Sequence, residues 1–143
     1  MDQRLSIITL GVRDIQKSRA FYDSLGWKVA TEFQAENIAF YNLNGFVFAL
    51  YPLEKFSEET GDNTPPSGSK FTLAYNVSDK QSVDTTLAEI KALGVTVQPA
   101  IERFWGGYSG YFQDPDGHYW EVAFNPFTLP AADGSYKIEP PTT

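Results

Sequence analysis

The strongest constraint in this chain is that it repeats itself. GVRD and LGWKV bracket a helical stretch in the first half, and NVSD and LGVTV bracket another in the second. Around each pair the order of patterns is the same. SIITLGV (6–12) is rich in β-branched residues and reads as a buried strand. In DIQKSRAFYDSLG, Asp14 is placed to cap a helix, Ile15, Ser18, Tyr22 and Leu25 recur at helical spacing, and Gly26 supplies the stop. WKVATEF, NIAFYNL and FVFALYP are three further strands, and Asn44-Gly45 between the last two is a hairpin signal because both residues tolerate positive φ. The second half repeats this with FTLAYNV, a helix capped by Asp79 that carries Val83, Leu87 and Ile90 on one face, and the strands VTVQPAIERF, GYFQ and HYWEVAF. Both halves therefore read β-α-β-β-β, an α+β class with internal duplication.

The expected organisation is one domain of paired modules, about 5–52 and 70–126, joined by a surface connection at 53–69. Pro, Gly, Ser and acidic residues break the periodicity in that connection. The tail, 127–143, with Pro130, Pro140 and Pro141, reads as extended or partly disordered from Thr128 onward. Neither module closes a sheet by itself. The expectation is a curved, partly open sheet around a shared cleft, where a small ligand would sit.

Charge narrows the partners. With 11 basic against 18 acidic residues the net charge is −7, a poor match for a nucleic-acid backbone. There is no cysteine, so neither disulfides nor thiolate chemistry enter. The apolar run Phe46–Tyr51 is too short to cross a bilayer, and MDQRLSIITL lacks the apolar core of a signal peptide. A cytoplasmic protein without membrane contact is expected.

Chemistry concentrates in GYFQDPDGHYWEVAFNP (110–126), which holds the only histidine. Asp114-Pro115-Asp116-Gly117 is first of all a turn, with Pro115 at a central position of a type I turn and Gly117 in the left-handed position after it. That turn sets Asp114 opposite His118, Phe112 opposite Trp120, and Tyr111 opposite Glu121. Alternation then puts Tyr111, Tyr119, Glu121 and Ala123 on one face, and Phe112, Trp120, Val122 and Phe124 on a uniformly apolar one that should pack under a helix. Asp114, Asp116 and His118 read as turn formers and a rim residue. Glu121 is different: a carboxylate inside an aromatic strand either reaches solvent or faces a wet cavity.

FQDPDGHYWEV resembles the closing hairpin of the vicinal oxygen chelate superfamily, Asp-Pro-Asp-Gly-x-x-x-Glu, and ITLGVRDIQKSRAFYDSLGWKV resembles its opening strand and helix. That superfamily includes glyoxalase I, bleomycin- and fosfomycin-resistance proteins and extradiol dioxygenases, built of paired β-α-β-β-β modules. The resemblance implies a divalent metal held from the first and last strands of the modules. Carried over, those positions fall on Ile7, on Thr72 (or Leu73 if the alignment slips), on Ala49 and on Glu121. Only Glu121 is a metal-ligand type, whereas a catalytic site needs about three nitrogen, sulfur or carboxylate donors. The expectation is therefore no metal and no cofactor.

The metal-free members that the chain resembles are drug binders, usually homodimers. WGGYSGYF (105–112) resembles a loop of the bleomycin-resistance proteins, which implies a ligand-stacking role for Trp105; a lid anchored in the core is the other reading of that indole. Tyr111 falls where some relatives place a ligand-contacting tyrosine. Ile7, Thr9, Ala49 and Thr72 would line a mostly apolar chamber, with Glu121 as counter-charge to the ligand. The expected function is small-molecule binding, such as antibiotic or metabolite sequestration. The alternative is a lyase, isomerase or dioxygenase of the same superfamily, either metal-dependent or with a buried Glu121 of raised pKa acting as general base.

Overall fold

The computed structural model describes residue 3 and residues 7–33, 37–60 and 72–137. The chain divides into two compact units, Met1–Ser67 and Gly68–Thr143. Each contains a four-stranded sheet with a helix after its first strand, as the repeat predicts.

In the first unit, β1 (Ile7–Val12) is followed by α1 (Ile15–Ser24), β2 (Thr31–Phe33), β3 (Ile38–Asn42) and β4 (Val47–Pro52), in sheet order β1-β4-β3-β2. The Asp14 carboxylate accepts the Lys17 N–H at 3.0 Å, meeting one of the orphan donors of the first helical turn. Ile15, Ser18 and Tyr22 are the buried residues of α1, so the helical period read from the sequence faces the core. The Tyr22 ring meets Phe48 edge-on at 4.9 Å, with Trp27 at 5.3 Å and Tyr41 at 6.2 Å completing a ring cluster. Such rings combine large buried area with preferred mutual angles.

One expectation needs correction here and another holds. WKVATEF is not a strand throughout: only Thr31–Phe33 pairs, with β3, while Trp27 turns into the ring cluster. The hairpin expected at Asn44-Gly45 joins β3 to β4, with Gly45 taking positive φ, at 93°.

The stretch after β4 corrects a second. Leu53–Thr60 forms a helix, α2, where a loop was expected. Its Leu, Glu and Lys are good helix formers, and Lys55 pairs with Glu58 one turn on, at 2.9 Å. The rest of the expected connection, residues 61–71, lies outside the described residues.

The second unit runs β5 (Thr72–Val77), α3 (Lys80–Ala92), β6 (Val97–Glu102), β7 (Tyr108–Gln113) and β8 (Tyr119–Phe124), in sheet order β5-β8-β7-β6. Asp79 caps α3 by accepting the Ser82 N–H at 2.7 Å, and Val83, Leu87 and Ile90 are buried beneath it. The apolar face of the β7–β8 hairpin meets this helix. Phe112, Trp120 and Val122 are buried, and the Phe112 and Trp120 rings stack at 6.2 Å. β6 is an edge strand whose register with β7 shifts between Gln98 and Ile101. Pro99, which has no N–H for a ladder, sits within that bulge.

Gly110 is where helix and sheet come closest. A Cβ there would stand 2.5 Å from Leu87 Cδ1, 2.6 Å from the Gln98 carbonyl oxygen and 2.9 Å from the Ala100 nitrogen. Two of these are backbone atoms of the neighbouring strand and have little room to move.

The segment after β8 is the third correction. Up to Lys137 it is folded back rather than extended. Gly134 N–H donates to the Ala131 carbonyl at 2.9 Å, and the Tyr136 hydroxyl donates to the Thr128 carbonyl at 3.2 Å. Residues 138–143, with Pro140 and Pro141, lie outside the described residues.

Two outcomes follow for stability. Gly110→Ala should cost about 1–3 kcal/mol by overpacking, read as a lower urea midpoint at unchanged slope. The second concerns Tyr41, whose hydroxyl donates to Asp23 at 3.1 Å. Burial, and then the Asp23 charge, push its phenol from 10.0 up to about 12. The unfolded chain loses this proton above its ordinary value while the folded chain keeps it. Stability should therefore fall by about 1.4 kcal/mol per pH unit between those two values. Tyr41→Phe should reduce the alkaline slope in urea titrations.

Candidate functional site

The site is set by a turn. Asp114 is buried, and its carboxylate oxygen accepts the N–H of Asp116 and the N–H of His118, each at 2.9 Å. Gly117 takes φ 86°, and the Asp114 N–H donates to the His118 carbonyl at 3.0 Å. This Asx-type turn fixes how β7 meets β8, and the pairs are the expected ones: Phe112 with Trp120 and Tyr111 with Glu121. Asp114, Asp116 and His118 thus hold the hairpin's shape.

On the face away from α3, the Tyr111 hydroxyl donates to Glu121 Oε1 at 3.0 Å. Burial first, then the hydrogen bond to Glu121 and its charge, raise the Tyr111 phenol above its ordinary value, with Arg103 opposing. Tyr111 is accordingly a proton donor at neutral pH. The Tyr119 ring stands edge-on to Tyr111 at 6.4 Å. Both Tyr111 and Glu121 are half-buried, so the pair is neither sealed in the core nor spread on open surface.

Arg103 completes the group, and the sequence reading did not single it out. Its guanidinium carbon lies 5.3 Å from the Tyr111 ring centroid. Its Nε donates to Ser109 Oγ at 3.0 Å and an Nη to the Ser109 carbonyl at 2.9 Å. Ser109 itself is fully buried. The available signal was positional: Arg103 and Ser109 flank the FWGGY turn between β6 and β7. There the Arg103 N–H donates to the Gly107 carbonyl at 2.8 Å and Gly106 takes φ 93°.

The other expected residues are placed as follows. Thr72 pairs with Tyr119 and shares the face of Glu121, as does its exposed neighbour Ala74, which pairs with Glu121 itself. Leu73 pairs with Trp120 and so belongs to the helix side. Trp105 is 37% exposed on the β6–β7 turn, where its indole lies over Gly107, so close that a Cβ on that glycine would overlap the ring. Among the described residues, the contacts of Tyr111 and Glu121 do not include Trp105. In the first unit, Ile7 and Thr9 lie on the exposed side of β1. Ala49 pairs with Thr9 and Phe40 but is 0% exposed, so it offers no surface to a ligand.

As a metal site this donor set does not fit. Ile7 and Ala49 end in hydrocarbon, Thr72 offers a hydroxyl, and one Glu121 oxygen is already engaged by Tyr111. Among the described residues, no three His, Asp or Glu side chains gather closely enough to hold an ion.

Known structures share this architecture. A glyoxalase-related enzyme from Fulvimarina pelagi is 36% identical, with alignment over 95% of this chain and 98% of that one and a TM-score of 0.84. A genomically encoded fosfomycin resistance protein from Listeria monocytogenes is 26% identical over 85% of this chain and 91% of that one, at a TM-score of 0.67. Lactoylglutathione lyase from Agrobacterium tumefaciens, 22% identical over 87% and 95% of the two chains, shares the fold at a TM-score of 0.67. The sequence pattern of the Glyoxalase/Bleomycin resistance protein/Dioxygenase superfamily matches residues 4–122. The chain belongs to that superfamily, the vicinal oxygen chelate group, whose members act on or bind small molecules.

Proposed function

We propose that this protein binds a small organic molecule directly, without a metal ion, on the face of the second sheet that carries Tyr111 and Glu121. The observation that carries the reading is the 3.0 Å hydrogen bond between these two side chains on a half-buried surface. A carboxylate held this way has one oxygen oriented by the phenol and a second able to accept from a ligand donor or face a cationic group. Neighbouring Tyr119 and the small side chain of Ala74 give a flat, partly apolar setting for a planar molecule. The hydrocarbon at Ile7 and Ala49 supports the absence of a metal. Sequestration of an antibiotic or metabolite is the activity that needs least beyond this surface.

A second reading is favoured by the 36% identical relative, a glyoxalase-related enzyme. In it, Glu121 takes a proton from an acidic C–H while Tyr111 donates to the oxygen that gains charge. That reading predicts turnover lost in Glu121→Gln and in Tyr111→Phe.

Benzamidine, planar and cationic, is a suitable probe of the binding reading. Saturable binding by calorimetry is expected, weakened about tenfold by Glu121→Gln because a charged acceptor is replaced by a neutral one. Elemental analysis of protein purified without an affinity tag should find no stoichiometric zinc, nickel or iron. About one tightly held ion per chain would overturn the metal-free reading.

A further inference from the structure

We infer that the ligand of this surface carries an anionic group as well as a hydrogen-bond donor, and that Arg103 receives the anion. The inference rests on the direct-binding reading above and names the class of molecule bound: a planar organic acid with an amine, amidine or similar donor at its other end.

The argument starts from how Arg103 is held. Two of its N–H groups are committed to one residue, the buried Ser109, through both the hydroxyl and the carbonyl oxygen. Its guanidinium carbon lies over the Tyr111 ring. These contacts fix the guanidinium without neutralising it, since a hydroxyl and a carbonyl are dipoles and a ring face is a quadrupole. Among the described residues, no carboxylate lies within ion-pair distance of Arg103, although the chain carries 18 acidic residues. Lys80, by contrast, pairs with the adjacent residue, Glu102.

An arginine in an acidic protein normally finds a counter-charge or swings into water. This one is half-buried, fixed by a fully buried partner, and among the described residues keeps its remaining N–H groups unspent. A fixed guanidinium is suited to a planar two-oxygen anion, because its fork of donors matches carboxylate geometry. Tyr111 touches both charged residues, its ring under Arg103 and its hydroxyl on Glu121. Cation, phenol and carboxylate therefore form one connected group, and a ligand lying along Tyr111 meets opposite charges at its two ends.

Three matched probes test this by calorimetry: benzamidine, para-amidinobenzoate and para-amidinobenzamide. The acid and the amide have nearly the same shape and differ in the anionic charge. We expect wild-type protein to bind para-amidinobenzoate about tenfold more tightly than the amide, the scale of one charge-assisted contact. Arg103→Met should erase that difference between acid and amide. Equal wild-type affinity for acid and amide would overturn the inference while leaving the binding reading intact, and so would an advantage of the acid that survives in Arg103→Met. Failure of all three probes to bind would overturn the binding reading and this inference together. The wild-type comparison needs no variant, so a misfolded Arg103→Met cannot blunt the test.

Discussion

The geometry of the second unit depends on one carboxylate accepting two backbone N–H groups. Asp114, buried at the β7–β8 turn, takes the donors of Asp116 and His118 and so closes the loop in a single register. Side chains alternate along a strand, so a slip of one residue would carry Glu121 to the helix side and bring Trp120 to the opposite face. The turn thereby fixes two things at once. It seats Phe112, Trp120 and Val122 under α3, and it brings the Tyr111 hydroxyl to Glu121.

Much of this was legible because it is written locally. Turn chemistry at Asp-Pro-Asp-Gly, the caps at Asp14 and Asp79, and the spacing of Val83, Leu87 and Ile90 each act over a few residues. Each appears in the structure as read. What was missed depends on contacts between residues whose patterns look unremarkable. Leu53–Thr60 reads as part of a loop because it leads into Pro- and Gly-rich sequence, yet its own residues favour a helix. The segment after Thr128 was read as extended from its prolines, but the Tyr136 hydroxyl ties it back on itself. Arg103 escaped for a related reason. Its importance comes from Ser109, across the turn between β6 and β7, a contact that no local pattern announces.

The two units show how one topology carries different chemistry. In the first, the equivalent of the Glu121 position is Ala49, which is buried, and the rings of Tyr22, Trp27, Tyr41 and Phe48 cluster. In the second, the same position bears the carboxylate, and the surrounding residues are polar or small. Superfamily membership fixes the scaffold, while the side chains on a single sheet face decide what that scaffold can hold.

The irregular outer strand of the second unit has a consequence beyond the site. β6 lies at the rim of its sheet, and Pro99 and the register shift beside it interrupt the row of amide groups that a neighbouring chain would need for continuous strand pairing. A rim broken this way is a poor template for edge-to-edge association, so crowding at high concentration should not recruit further copies along that border.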